Sequence, residues 1–168
     1  EALVVDWDPG AGATLDTGAL VAEFRRLAGT PGKLAASAGD APAAFAAASR
    51  KIEAEYVVPY LAHAPMEPLN CAVRIGPDLC EIWTGTQFQT IDQLSAAGIT
   101  GLKPEQVKIN TTFLGGGFGR RATPTSDWVS EAVHVAKAAG APVKTVWTRE
   151  DDVRGGYYRP MFLHRVRV

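Results

Sequence analysis

Seven consecutive residues, Gly115-Gly116-Gly117-Phe118-Gly119-Arg120-Arg121, are the part of this chain best suited to chemistry. Glycines let the backbone take positive φ and approach a bound group with no Cβ in between. A strand expected over 107–113 precedes the run, and a helix capped by Thr125 or Ser126 is expected after it. That order turns exposed N–H groups toward one point, which suits an oxyanion. The run lacks the Lys of Gly-x-x-x-x-Gly-Lys-Ser/Thr and does not fit Gly-x-Gly-x-x-Gly. On glycine content alone, a plain tight connection explains it as well as a ligand loop does.

Other residues carry weaker signals. Gln87, in Trp83-Thr84-Gly85-Thr86-Gln87-Phe88-Gln89, is by itself an ordinary polar residue at a strand end. Its amide N–H₂ can nevertheless donate to an oxygen bearing negative charge without titrating. His63 and Glu67 stand four residues apart, but Pro65 between them forbids a regular helix, which argues against a zinc site. Structural roles explain these two as well as a place in a substrate channel does. The cluster Glu150-Asp151-Asp152 reads as a solvated turn whose acids pair with Arg149 or Arg154. No Cys/His cluster has metal-ligand spacing, and no nucleophile elbow appears. His134 and His164 read as packing or surface residues. Cys71 and Cys80 flank an expected turn at 76–78 and could face each other, though two half-buried thiols are the plainer reading.

The elements that must position these residues follow from periodicity. Strands are expected at 2–7, 51–60, 107–113, 143–148 and 162–168, with a hairpin of 71–75 and 80–84. Leu20, Phe24 and Leu27 recur at helical spacing, and Asp40 with Pro42 signals a helix over 43–50. A short helix is expected at 90–97 and a longer one to about 139, with Val129, Ala132, Val133 and Ala136 as its apolar face. The region 149–160 reads as a loop. Strands, hairpins and helices together indicate an α+β class, a mixed β-sheet with packed helices in one compact unit. The length of 168 residues suits about one domain, and 46% hydrophobic with 21% charged residues is an ordinary globular composition. A net charge of −1 gives no attraction to nucleic acid or an anionic membrane, and no apolar run is long enough to span one. The chain opens without Met and closes on an alternating strand, so a fragment of a longer protein is expected.

Four strings then resemble, in order, one known family. Tyr60-Leu61-Ala62-His63-Ala64-Pro65-Met66-Glu67-Pro68, the Gln87 string, Phe113-Leu114-Gly115-Gly116-Gly117-Phe118-Gly119, and Trp147-Thr148-Arg149-Glu150-Asp151-Asp152-Val153 with Arg159 resemble segments of the xanthine dehydrogenase and aldehyde oxidase family of molybdenum hydroxylases. The Gly-Gly-Gly-Phe-Gly-Arg-Arg form most resembles the beta subunits of isoquinoline 1-oxidoreductase-type enzymes. The likeness covers residues 60–168 and is less specific over 1–50.

The resemblance implies a molybdopterin-binding large subunit that hydroxylates N-heteroaromatic compounds or oxidises aldehydes with oxygen from water. It implies a molybdenum–pterin cofactor, in the cytosine dinucleotide form, whose dithiolene holds the metal while the protein supplies only outer contacts. Gln87, Gly115, Gly116, Gly117, Phe118, Gly119 and Arg120 would contact the cofactor and Arg159 the substrate. Tyr157-Tyr158 stands where xanthine-type enzymes carry Gly-Gly, which leaves the substrate open. An iron–sulfur small subunit would take the electrons, and periplasmic or membrane-associated placement would follow. The general-base Glu is expected beyond residue 168. Residues 1–50 would end a preceding domain and linker helix, and 51–168 would begin the cofactor domain. The rival readings are an oxyanion- or phosphate-binding module without redox activity, and a purely structural role in subunit assembly.

Overall fold

A computed structural model describes residues 4–168, and contacts divide the chain into two compact units, 60–159 and 1–59 with 160–168. The sequence reading of one compact unit is therefore replaced by two. The expected strands at 51–60 and 162–168 pair with each other, and not with the larger sheet.

The 60–159 unit holds a four-stranded mixed sheet, which bears out the α+β expectation. Its strands are β2 (Asn70–Ile75), β3 (Cys80–Thr84), β4 (Val107–Thr111) and β5 (Val143–Val146), β1 belonging to the other unit. The spatial order is β4-β3-β2-β5, with β3 and β4 parallel and the other pairs antiparallel. A parallel pair needs a crossover, and α3 (Gln89–Thr100) supplies it. The second helix, α4 (Asp127–Ala139), joins β4 to β5.

Both helices cover the same sheet face. Alternation turns Cys71 and Val73 of β2 and Cys80, Ile82 and Thr84 of β3 toward them. On α4, Trp128, Val129, Ala132, Val133 and Ala136 are buried, the stripe expected from spacing with Trp128 added. The hairpin register sets Cys71 against Thr84 and Cys80 against Ile75, so the thiols do not face each other. Both are free and buried; burial pushes the Cys71 thiol up to about 12 and raises that of Cys80.

One element was not expected. Arg149–Arg154 forms a helix, α5, where a loop was read. Thr148 Oγ1 accepts from Asp151 N at 3.2 Å while Asp151 Oδ2 accepts from Thr148 N at 3.1 Å, a reciprocal cap. Asp152 pairs with Arg149 as the sequence reading allowed; Glu150 and Asp151 are exposed, but Asp152 is buried, and the segment is a helix rather than a turn. The Arg149 Nη2 also donates to the Pro65 and Met66 carbonyls at 2.6 and 3.0 Å.

The other unit contains a 3-10 turn (Gly10–Thr14), α1 (Thr17–Leu27), α2 (Ala41–Ala47) and the antiparallel pair β1 (Glu53–Val58) and β6 (Phe162–Arg167). Asp16 and Asp40 cap the two helices through Ala19 N and Ala43 N. Of the strand expected at 2–7, residues 2 and 3 lie outside the described residues, and Val4 to Trp7 form no regular element.

Candidate cofactor-binding site

Three chain segments meet beyond the ends of β3 and β4: residues 65–67, 84–88 and 115–121. The 115–121 loop carries positive φ at Gly116 (105°), Phe118 (56°) and Gly119 (96°). Glu67 and Gly115 exchange hydrogen bonds: Glu67 N donates to Gly115 O at 3.1 Å, and Gly115 N to Glu67 Oε2 at 3.0 Å. The loop closes on itself where Arg120 N donates to Gly117 O at 2.9 Å. Among the described residues the N–H groups of Gly116, Gly117 and Phe118 have no acceptor.

Gln87 is joined to the loop at both its main chain and its side chain. Its N–H donates to Arg121 O at 2.9 Å, and its Oε1 accepts from Gly119 N at 3.2 Å and Arg121 N at 3.3 Å. Two N–H donors settle which end of the amide faces the loop, because only the oxygen accepts. The Nε2 group is left without an acceptor among the described residues. A Cβ built on Gly117 would lie 2.6 Å from Gln87 Oε1 and 3.3 Å from its Nε2. The donor therefore stands beside the unpaired N–H row, and the close approach exists because residue 117 is glycine. Gly115 is equally tight, since its Cβ would meet Glu67 Cβ at 2.5 Å.

The two arginines part ways. The Arg120 guanidinium is buried and donates to both Asp127 carboxylate oxygens, at 3.1 and 2.7 Å, between the rings of Trp128 and Trp147. It is committed to the start of α4. Arg121, which the sequence reading placed in the loop but not among the cofactor contacts, is 0% exposed and holds carbonyls of all three segments. The signal available in the sequence was only that a second Arg follows the glycines.

Glu67 is the counter-charge to Arg121 at 2.8 Å. Partial burial works to raise its pKa, but the Gly115 N–H, Asn70 and Arg121 outweigh burial and hold the carboxyl below its ordinary range. A depressed carboxylate contributes stability that is present above its unfolded pKa and lost as pH falls through the folded value. Glu67→Gln should therefore flatten the acid limb of a melting-temperature profile below about pH 5. An unchanged acid limb would rule this contribution out.

Beneath Gln87 lies a second acid the sequence reading missed. Asp92 of α3 is 1% exposed and accepts from the Thr86 and Ser126 hydroxyls, the latter at 2.6 Å. Burial raises its pKa, and the two hydroxyls oppose that rise. The Thr86 Oγ1 also accepts from Phe88 N at 3.0 Å, so Asp92 braces the turn carrying Gln87. Ser126, at φ 51°, spends its hydroxyl here and leaves the α4 N-terminus uncapped by its own side chain.

Arg159 sits on a strand-like bridge with Leu61 (N to O, 2.9 and 3.3 Å), exposed and with no hydrogen bond to the glycine loop. Two residues from Leu61, the His63 Nδ1 is buried without a hydrogen-bond partner among the described residues. Burial first, then the charges of Arg159 and Arg120, lower the His63 pKa and keep the ring neutral at pH 7. Tyr157 bonds Thr125 through the hydroxyls at 3.1 Å, and the Tyr158 hydroxyl donates to Val153 O at 2.9 Å.

Free N–H groups, an outward amide N–H₂ and missing Cβ atoms define a surface for an oxygen-bearing anionic group on a mixed α+β scaffold. A profile of the molybdopterin cofactor-binding domain family matches residues 27–168, and the chain belongs to that family. It is 39% identical over 106 residues to isoquinoline 1-oxidoreductase subunit beta of Brevundimonas diminuta, covering 62% of this chain and 13% of that protein. It is 33% identical over 140 residues to the aldehyde oxidoreductase molybdenum-binding subunit PaoC of Escherichia coli (strain K12), covering 83% and 18%. Among solved structures, the aldehyde oxidoreductase from Desulfovibrio gigas matches with a TM-score of 0.63 and 25% identity over 77% of this chain and 14% of that one. Quinoline 2-oxidoreductase from Pseudomonas putida 86 shares the fold, with a TM-score of 0.56 at 18% identity over 67% of this chain and 14% of that one. The chain spans less than a fifth of the curated relatives it matches (13% and 18% of the two named).

Proposed function

We propose that this chain is part of the large subunit of a molybdopterin-dependent hydroxylase acting on N-heteroaromatic compounds or aldehydes with oxygen from water. The observation that carries the reading is the run of unpaired N–H groups at Gly116, Gly117 and Phe118 beside the outward Nε2 of Gln87. Such donors suit oxygen atoms carrying partial negative charge. Gln87 and the main-chain N–H groups of Gly116, Gly117 and Phe118 would hold the oxygen side of the cofactor, while Gly115 and Gly119, whose N–H groups go to Glu67 and Gln87, would shape the loop around it. Arg120 would act on the cofactor only by shaping the loop, its N–H donating to Gly117 O and its guanidinium being engaged by Asp127. When bound, the cofactor supplies the two-electron redox chemistry.

The protein's own part is to bind and orient the reacting groups. Arg159, exposed and with its guanidinium free of hydrogen-bonded partners among the described residues, is assigned to the substrate, where a guanidinium stabilises developing negative charge. An iron–sulfur small subunit as electron acceptor belongs to the proposal, supported by likeness to subunits of multi-subunit relatives. The cytosine dinucleotide form of the cofactor and periplasmic or membrane-associated placement are proposed from the family resemblance of the sequence alone. A membrane-bound relative is among the matches, while no described helix is long and apolar enough to cross a membrane. The two parts expected of the chain, residues 1–50 and 51–168, are proposed as the end of one domain and the start of the cofactor domain.

The test is molybdenum and pterin content of the full-length protein, purified with its natural partner. Near-stoichiometric amounts of both are expected. A stably folded protein carrying neither, with inorganic phosphate binding at the loop instead, would replace this reading with an oxyanion-binding module.

A further inference from the structure

Arg121 is fully buried, and its guanidinium spends its donors on protein oxygens. Nε donates to Gly116 O at 2.9 Å, Nη1 to Gly85 O at 3.2 Å, and Nη2 to Glu67 O at 3.0 Å and Glu67 Oε2 at 2.8 Å. One planar group thus ties the 65–67, 84–88 and 115–121 segments together. The main chain of the same residue holds Gln87 at its N–H and at its Oε1.

Peptide geometry turns these bonds into directions. In a trans peptide the C=O of one residue and the N–H of the next point opposite ways, and no described peptide is cis. Drawing the Gly116 carbonyl toward Arg121 therefore aims the Gly117 N–H away from it, out of the loop. Arg121 N, with Gly119 N, holds the Gln87 oxygen and so leaves the Nε2 facing outward. We infer that Arg121, counter-charged by Glu67, is the positioning residue that aims the Gly117 N–H and the Gln87 amide at the bound group without touching it. The inference rests on the proposed function for the identity of that group, not for the aiming itself. Lysine keeps the charge, but its three donors sit on one nitrogen and cannot reach acceptors that three separate guanidinium nitrogens meet on three segments.

The experiment compares Arg121→Lys and Arg121→Gln with wild type in the full-length protein and its natural partner. It reads amide exchange by peptide, molybdenum content, the Mo(V) EPR spectrum, and kcat and KM separately. For Arg121→Lys we expect retained molybdenum and faster exchange in peptides covering 84–88 and 113–122, with α4 unchanged. We also expect shifted EPR parameters and kcat lowered about 100-fold, the scale of losing one oriented donor, with KM within about 3-fold. Arg121→Gln should show the same pattern more severely. Wild-type exchange and EPR in Arg121→Lys would overturn the inference. So would faster exchange spread evenly through the 60–159 unit, the mark of a merely structural residue. Should the wild-type protein hold no molybdenum, the proposed function fails, and the exchange pattern alone still decides the aiming role.

Discussion

Gly117→Val should abolish cofactor-dependent activity in the full-length protein while leaving the 60–159 fold in place. The added Cβ would lie 2.6 Å from Gln87 Oε1 and 2.9 Å from its Cδ, distances real Cβ atoms do not tolerate. Neither neighbour can yield cheaply. The Gln87 amide is held by the N–H groups of Gly119 and Arg121, and the loop is held by Arg121 at Gly116 O and by Glu67 at Gly115. Displacing the glutamine breaks two hydrogen bonds at about 1 kcal/mol each. Overpacking adds about 1–3 kcal/mol if the loop shifts instead. The sum is within reach of a stable domain, so the variant should fold with a lowered melting temperature. Activity should fall by more than about 100-fold, because the Gln87 donor and the Gly117 N–H move together. Melting temperature, molybdenum content and turnover, measured side by side, check this. Near-wild-type turnover would mean that the contact between loop and glutamine is not needed.

Replacing Gln87 separates the two jobs of its amide. Gln87→Glu keeps an oxygen to accept from Gly119 N and Arg121 N, so the loop should stay ordered. It replaces the outward N–H₂ with a second oxygen beside the unpaired N–H groups. Turnover should drop about 10²- to 10³-fold, the measured scale for losing one preorganised donor, with little change in melting temperature. Gln87→Ala should lose as much turnover and also leave two N–H groups without their acceptor. Its melting temperature should therefore fall where that of Gln87→Glu does not. Equal melting of the two variants would show that the loop does not depend on the amide oxygen. Full activity in Gln87→Glu would exclude Nε2 as the donor.

Much of the fold was legible because it depends on short-range pattern. Val129, Ala132, Val133 and Ala136 fall on one helix face at any tertiary arrangement, and α4 buries them as spacing requires. The 71–75 and 80–84 hairpin, the crossover helix and the glycine loop were readable for the same reason. In the site, the glycine run and Gln87 were visible through their order along the chain. Their contact was not, since it joins residues 32 and 34 positions apart.

The sequence by itself determined where backbone without Cβ atoms had to lie, which helix face had to be buried, and that Pro65 bars a helix between His63 and Glu67. Only the tertiary structure decided which arginine does what. Arg120 and Arg121 are identical in type and adjacent in sequence, yet one finds Asp127 seven residues on and the other finds Glu67 fifty-four residues back. The same holds for Asp92, an ordinary acid in the first turn of α3 until the Thr86 and Ser126 hydroxyls and burial claim it. It holds for β1 and β6, whose Glu53–Arg167 pair spans 114 positions. The reason is physical. Helix and strand periodicity is set by bonds between near neighbours, whereas a buried polar group is satisfied by whatever partner chain closure brings within about 3 Å.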